Sequence, residues 1–121
     1  MVSDEVSIEN KLTFLRVSEL NIDMLAEGLS ELHFAVRSQR RDPAYWRWRY
    51  LHSPFGESIL TAALRGSRVV GIYGLLYVPL ILQGRVLMCG LMGDLSIHPS
   101  ERSWRCYSGL VEMNIKKKKK D

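Results

Sequence analysis

From Ser58 onward the sequence is dominated by three apolar stretches, about Ile59 to Leu64, Arg68 to Tyr77 and Arg85 to Ile97, broken only by Gly66 and by Gln83 with Gly84. A parallel crossover needs about a dozen residues or more, so connections this short force each stretch to fold back on its predecessor. Glycine at both breaks supplies the turn conformations, and the segment reads as an antiparallel meander of three strands. Pro99 ends the last of them, because proline cannot donate to a ladder.

The residues before the meander supply one more strand and two helices. Lys11 to Val17 alternates through Leu12, Phe14 and Val17, with Thr13 and Arg16 between, as a short strand does. Ile22, Leu25, Leu29, Leu32 and Val36 recur at spacings of three and four, which lines one face of an amphipathic helix; Asn21 is placed to cap it and Asp23 suits its first turn. Asp42 followed by Pro43 announces a second helix running to about Leu51, stopped by Ser53, Pro54, Phe55 and Gly56. Beyond Pro99, the spacing of Trp104, Tyr107, Leu110 and Val111 predicts a helix from about Arg102 that continues into the lysines. The expected order is strand, helix, helix, three strands, helix, with no internal repeat.

A chain of 121 residues has room for one compact domain, and 46% hydrophobic with 25% charged residues is the balance of an ordinary soluble protein. No apolar run approaches the roughly 20 residues that cross a bilayer, and a start containing Asp4, Glu5 and Glu9 is unlike a signal peptide, so a cytoplasmic protein without a membrane partner is expected. Cys89 and Cys106 lack a second pair and fit neither a disulfide framework nor a zinc site; they are expected as reduced thiols, and no metal is expected. The net charge of +4 rests largely on Lys116 to Lys120, five of the 17 basic residues, expected to be a solvated end. Residues 1–10 are read as an N-terminal extension, 11–115 as the domain and 116–121 as a lysine-rich tail.

Three local sequences give this order a sharper meaning: Tyr45-Trp46-Arg47-Trp48-Arg49-Tyr50 before Ser53-Pro54-Phe55-Gly56, then Arg68-Val69-Val70-Gly71, then Gly93-Asp94-Leu95-Ser96-Ile97-His98-Pro99. Across residues 12 to 113 the chain resembles the first half of a GCN5-related N-acetyltransferase (GNAT) domain. The resemblance implies an α+β fold, a mixed and mostly antiparallel sheet flanked by helices, here without the C-terminal strands that follow in the family. It implies transfer of an acetyl or acyl group from coenzyme A to an amine on a small molecule or peptide.

By the same resemblance, the strand ending at Ile97 carries a bulge whose free backbone groups bind the pantetheine arm of acetyl-CoA, making Leu95, Ser96 and Ile97 the contacts. The family's pyrophosphate loop at a helix start aligns with Arg102-Ser103-Trp104-Arg105-Cys106-Tyr107. Only Arg102 matches the loop's pattern; Arg105 and Tyr107 stand where small residues belong and obstruct the phosphates, unless Arg105 contributes charge to them. Asp94, the acidic side chain of its strand, is the candidate general base, or alternatively an acceptor that holds a neighbouring element. Arg47 and Arg49 are candidate acceptor contacts, on a helix whose Trp46 and Tyr50 are expected to enter the core. The alternative to an active enzyme is a catalytically silent fragment acting through protein association or anionic surfaces. Nucleic acid is not the expected partner, and the uncovered edge of the strand Arg85 to Ile97 is expected to promote self-association.

Overall fold

The computed structural model describes residues 11–54 and 58–115. The N-terminal extension, the lysine-rich tail and the Phe55-Gly56 portion of the proposed turn lie outside the described residues. The strands β1 (Leu12–Arg16), β2 (Ile59–Arg65), β3 (Arg68–Leu82) and β4 (Arg85–Ile97) form one sheet in sequence order, antiparallel throughout. Residue Gln83 at φ 52° and Gly84 at φ 76° make the two-residue connection between β3 and β4, the positive angles that a tight hairpin of this twist demands. β3 runs five residues beyond Tyr77, because its pairing continues to Leu82↔Arg85. Pro79 is no obstacle at this position, paired with Met88 near the free end of the ribbon.

Helix α1 (Ile22–Arg37) covers one face of the sheet, burying Ile22, Leu25, Leu29 and Leu32 as their spacing predicts, together with His33. Leu60, Ala62, Leu64, Val69 and Ile72 meet it from the sheet, joined by Trp46 and Tyr50. Asn21 does not cap α1: its side chain accepts from Ser18 N and donates to Arg16 O, fastening the β1–α1 loop instead. The second helical segment is a short α2 (Ala44–Trp46) that widens into a π-turn (Arg47–Leu51), closed by His52 N donating to Arg47 O. Asp42 accepts from Ala44 N as a cap should.

Helix α3 (Trp104–Ile115) covers the opposite face. It starts two residues later than Arg102, after a 3₁₀ turn over Pro99–Glu101, with Ser103 Oγ accepting from Cys106 N as its N-cap. Its buried stripe is Cys106, Leu110 and Asn114, whereas Trp104 and Tyr107 are exposed. Asn114 Nδ2 donates to Ile59 O and Tyr73 O, and Arg16 reaches the carbonyls of Met113 and Asn114 at the helix end, where a cation also meets the dipole. Among the described residues no helix is long and apolar enough to cross a membrane.

Candidate active site

Asp94 is an acid in a strand of apolar residues, and a carboxylate in such surroundings requires partners. The pairing of Gly74 with Asp94 and of Leu75 with Met92 leaves Gly93 as an extra residue on β4, a bulge that bends the strand beside the acid. Tyr50 donates its hydroxyl to Oδ2 at 2.5 Å, and Arg41 donates to Oδ1 at 3.1 Å. Arg49 places a buried Nε 3.3 Å from Oδ2, near enough to pair charges though without hydrogen-bond geometry. The acid is therefore buried among a phenol and two guanidiniums from the segment that joins α1 to β2.

The backbone makes room for this arrangement. A side chain at Gly74 would overlap the Tyr50 ring, and one at Gly93 would crowd Leu76 and the Tyr50 hydroxyl. Tyr50 stacks on Trp46 with ring centroids 6.5 Å apart, and Arg41 lies 4.2 Å over the Tyr45 ring. Burial, reinforced by the adjacent carboxylate, pushes the Tyr50 phenol far above its ordinary range, so it is a fixed donor at neutral pH.

Antiparallel pairs alternate between residues that bond each other and residues whose backbone groups face away. His98 N donates to Val70 O, which sets the alternation: Ser96 faces its partner Ile72, while Leu95 and Ile97 turn their amides and carbonyls to the open edge of β4. Two arginines occupy those carbonyls. Arg37 donates to Leu95 O at 2.7 Å and Arg102 to Ile97 O at 2.9 Å.

Of the loop residues singled out in the sequence, Arg102 thus folds back on the β4 edge and Ser103 caps α3. The Cys106 amide is spent on that cap and the Tyr107 amide on Ser103 O. The Cys106 side chain lies in the core, where burial pushes its thiol up, while Trp104, Arg105 and Tyr107 are exposed. Arg47 does not join Asp94: it pairs with Glu19 at 2.5 Å and Asp23 at 2.9 Å, which pulls Glu19 below the usual carboxylate range. Arg49, one residue beyond Trp48 in the π-turn, is turned toward the acid instead of outward.

Sequence reasoning missed Arg37, Arg41 and Tyr50 as partners of this site. The available signal was the isolation of Asp94 itself, since the arginines between residues 37 and 49 are the concentrated supply of compensating charge. Among the described residues, no group of three or more His, Cys, Asp or Glu is placed to hold a metal ion.

No protein-family model and no curated protein matches the sequence. Solved structures do match. An aminoglycoside acetyltransferase from an uncultured soil metagenomic sample superposes with TM-score 0.58 at 22% identity, over 84% of this chain and 68% of that one. A GNAT family acetyltransferase from Staphylococcus aureus gives 0.57 at 11% identity, over 85% and 77%, and an acetyltransferase from Vibrio fischeri gives 0.56 at 19%, over 82% and 80%. Identities this low speak to architecture: the chain has the GNAT acetyltransferase fold.

Proposed function

We propose that the chain is an acyltransferase module of the GNAT type, taking acetyl-CoA or another acyl-CoA as co-substrate and an amine as acceptor. The observation that carries this reading is the bulge at Gly93, followed by the outward-facing backbone of Leu95 and Ile97 on an open strand edge. An edge of that kind can pair with an extended amide-bearing arm as it would with another strand. When bound, the thioester supplies the activated carbonyl. The residues fit this role through the amides of Leu95 and Ile97, which can donate to the arm or orient the carbonyl oxygen as electron density collects on it. Ser96 stabilises the ladder from within, its backbone turned to β3. Arg102, already against Ile97 O, together with the exposed Arg105, would supply positive charge to the phosphates.

We assign Asp94 to positioning rather than to proton abstraction, because Tyr50 and Arg41 hydrogen-bond its oxygens and Arg49 pairs with it. Its contribution would be to hold the bulge open beside the reacting groups.

Calorimetric titration with acetyl-CoA tests the reading. Leu95→Pro deletes one outward amide without touching a ladder bond, and it is expected to weaken binding about tenfold, the loss of one well-placed hydrogen bond, with the far-ultraviolet spectrum unchanged. Failure of the unaltered chain to bind overturns the reading. A second reading, association of copies through the free end of the β3–β4 hairpin, is favoured by the exposure of Ile81 at 74% and Val86 at 67%. Sedimentation of the unaltered chain against Ile81→Lys tests it: a concentration-dependent species lost in the variant supports it, and a monomer in both removes it.

A further inference from the structure

The bulge at Gly93 forms one wall of a cavity of ≈ 350 Å³, whose other side is made by His33, Arg37, Gln39 and Arg41, from the end of α1 and the segment after it. That volume lies at the small end of ligand pockets, which run from about 300 to 1,000 Å³. Its charges do not balance. The lining carries two guanidiniums, Arg37 and Arg41, against the single carboxylate of Asp94, and a third guanidinium, Arg49, is already paired with that carboxylate. Arg37 donates to a neutral carbonyl, Leu95 O, and among the described residues its charge is paired with no acid.

The remaining lining includes a buried histidine. His33 is 3% exposed; its Nε2 lies 3.1 Å from Gln39 Oε1, yet its buried Nδ1 has no hydrogen-bond partner. A cavity with surplus guanidinium on one side matches a small ligand that brings an anion.

We propose that this cavity takes a carboxylate, and that the amine acceptor of the chain is a small amino acid-like molecule whose carboxylate meets Arg37 and Arg41. Guanidinium and carboxylate pair in a planar, two-bond geometry that neither an ammonium nor a sugar hydroxyl can reproduce. The same surplus repels polycations, which sets this site apart from an acceptor such as an aminoglycoside. The identification of the ligand as an acceptor rests on the acyl-transfer reading; the carboxylate site itself does not.

The experiment is a two-dimensional amide nuclear magnetic resonance titration of the full chain, with L-glutamate, inorganic phosphate and spermidine as separate probes and Gly93 and Leu95 as reporters. Saturable shifts at both reporters with L-glutamate, and none with spermidine, are expected. Arg37→Gln should weaken the L-glutamate response about tenfold, as expected when one charged hydrogen-bonding partner is lost, and Arg37→Lys should restore part of it. Arg37 is exposed, so these variants leave the core intact. Shifts with spermidine, no response to L-glutamate, or an equal response to phosphate each overturn the carboxylate assignment. Acetyl-CoA is titrated into the same sample: a response to L-glutamate without binding of acetyl-CoA upholds the cavity and rejects acyl transfer, whereas acetyl-CoA binding without an L-glutamate response does the reverse.

Discussion

The two halves of the β3–β4 hairpin share one ladder and one kind of sequence, yet they meet different surroundings. From Gly71 to Leu75, opposite Met92 to Ile97, the ribbon lies beside α1 and α3, with Ile72 fully buried and Asp94 held by three side chains. From Val78 to Leu82, opposite Arg85 to Cys89, pairing continues without interruption, but Leu80, Ile81, Leu82, Val86, Leu87 and Met88 are all exposed. Apolar, β-prone residues are enough to make a strand; only a partner that removes them from water turns the strand into core. The proximal half also carries the polar groups, so stability and the candidate chemistry are concentrated in the same place.

The sharpest way to break this contrast is to remove the acid. Asp94→Ala strands the Tyr50 hydroxyl and leaves the Arg41 and Arg49 charges uncompensated in a largely buried setting, and it should cost about 4 kcal/mol, as loss of one member of a buried charged network does. Met88→Ala, on the same strand but 55% exposed, should change stability by less than about 0.5 kcal/mol. Urea unfolding of both variants measures the difference; equal losses would show that the halves are not distinct.

A purely apolar version of the test follows. Ile72→Ala opens a cavity against α1 and should cost about 3 kcal/mol, whereas Ile81→Ala, nine residues along the same strand and 74% exposed, should stay within about 0.5 kcal/mol. Smaller again is the effect of the polar clamp under the proximal half. Asn114→Ala removes the donor to Ile59 O and Tyr73 O, of which Tyr73 O keeps the Thr61 hydroxyl, and it should cost about 1 kcal/mol, the net worth of a hydrogen bond. Thermal unfolding with Leu110→Ala as the apolar reference checks it, and a neutral Asn114→Ala would mean that the clamp contributes nothing.

Asn114 also marks where the sequence stopped being legible. The α1 face could be read because burial there follows helical spacing in apolar residues: Ile22, Leu25, Leu29 and Leu32 are both the pattern and the core. On α3 the same reasoning chose Trp104 and Tyr107, the large residues, while the structure buries Cys106 and Asn114 in phase with Leu110. Periodicity weighs a residue by its hydrophobicity, and a buried asparagine whose amide nitrogen donates to two strand carbonyls has none to offer. The meander, its turns and the isolated acid were visible for similar reasons. The partners of Asp94 were not, because Arg41, Arg49 and Tyr50 lie 53, 45 and 44 residues away from it in the chain, and arginines beside helix ends ordinarily face water. Only the sheet register and the π-turn bring them to the bulge.

The last difference between the halves is in their response to acid. From Leu75 to Met92 the ribbon contains no Asp, Glu or His, so lowering the pH leaves its own charges unchanged. The base of the proximal half instead carries the two-bond pair between Arg65 and Glu101, at 3.0 and 2.7 Å, which holds the Glu101 carboxyl below its ordinary range. A carboxyl whose pKa is lower in the folded than in the unfolded chain favours folding at any pH above its unfolded value, near about 4.3, and that contribution fades as the pH falls through the folded value. The stability gap between the unaltered chain and Glu101→Gln should therefore be widest at neutral pH and close on acidification, with the loss beginning below about pH 5. Amide hydrogen exchange locates the effect: protection at the Arg65 and Ile97 ends of their strands should drop with acid in the unaltered chain more than in the variant, while exchange at Ile81 and Val86, corrected for intrinsic rate, should not distinguish the two. A gap that widens as the pH falls would require Glu101 to be held above its unfolded value, and would remove Arg65 as its governing partner.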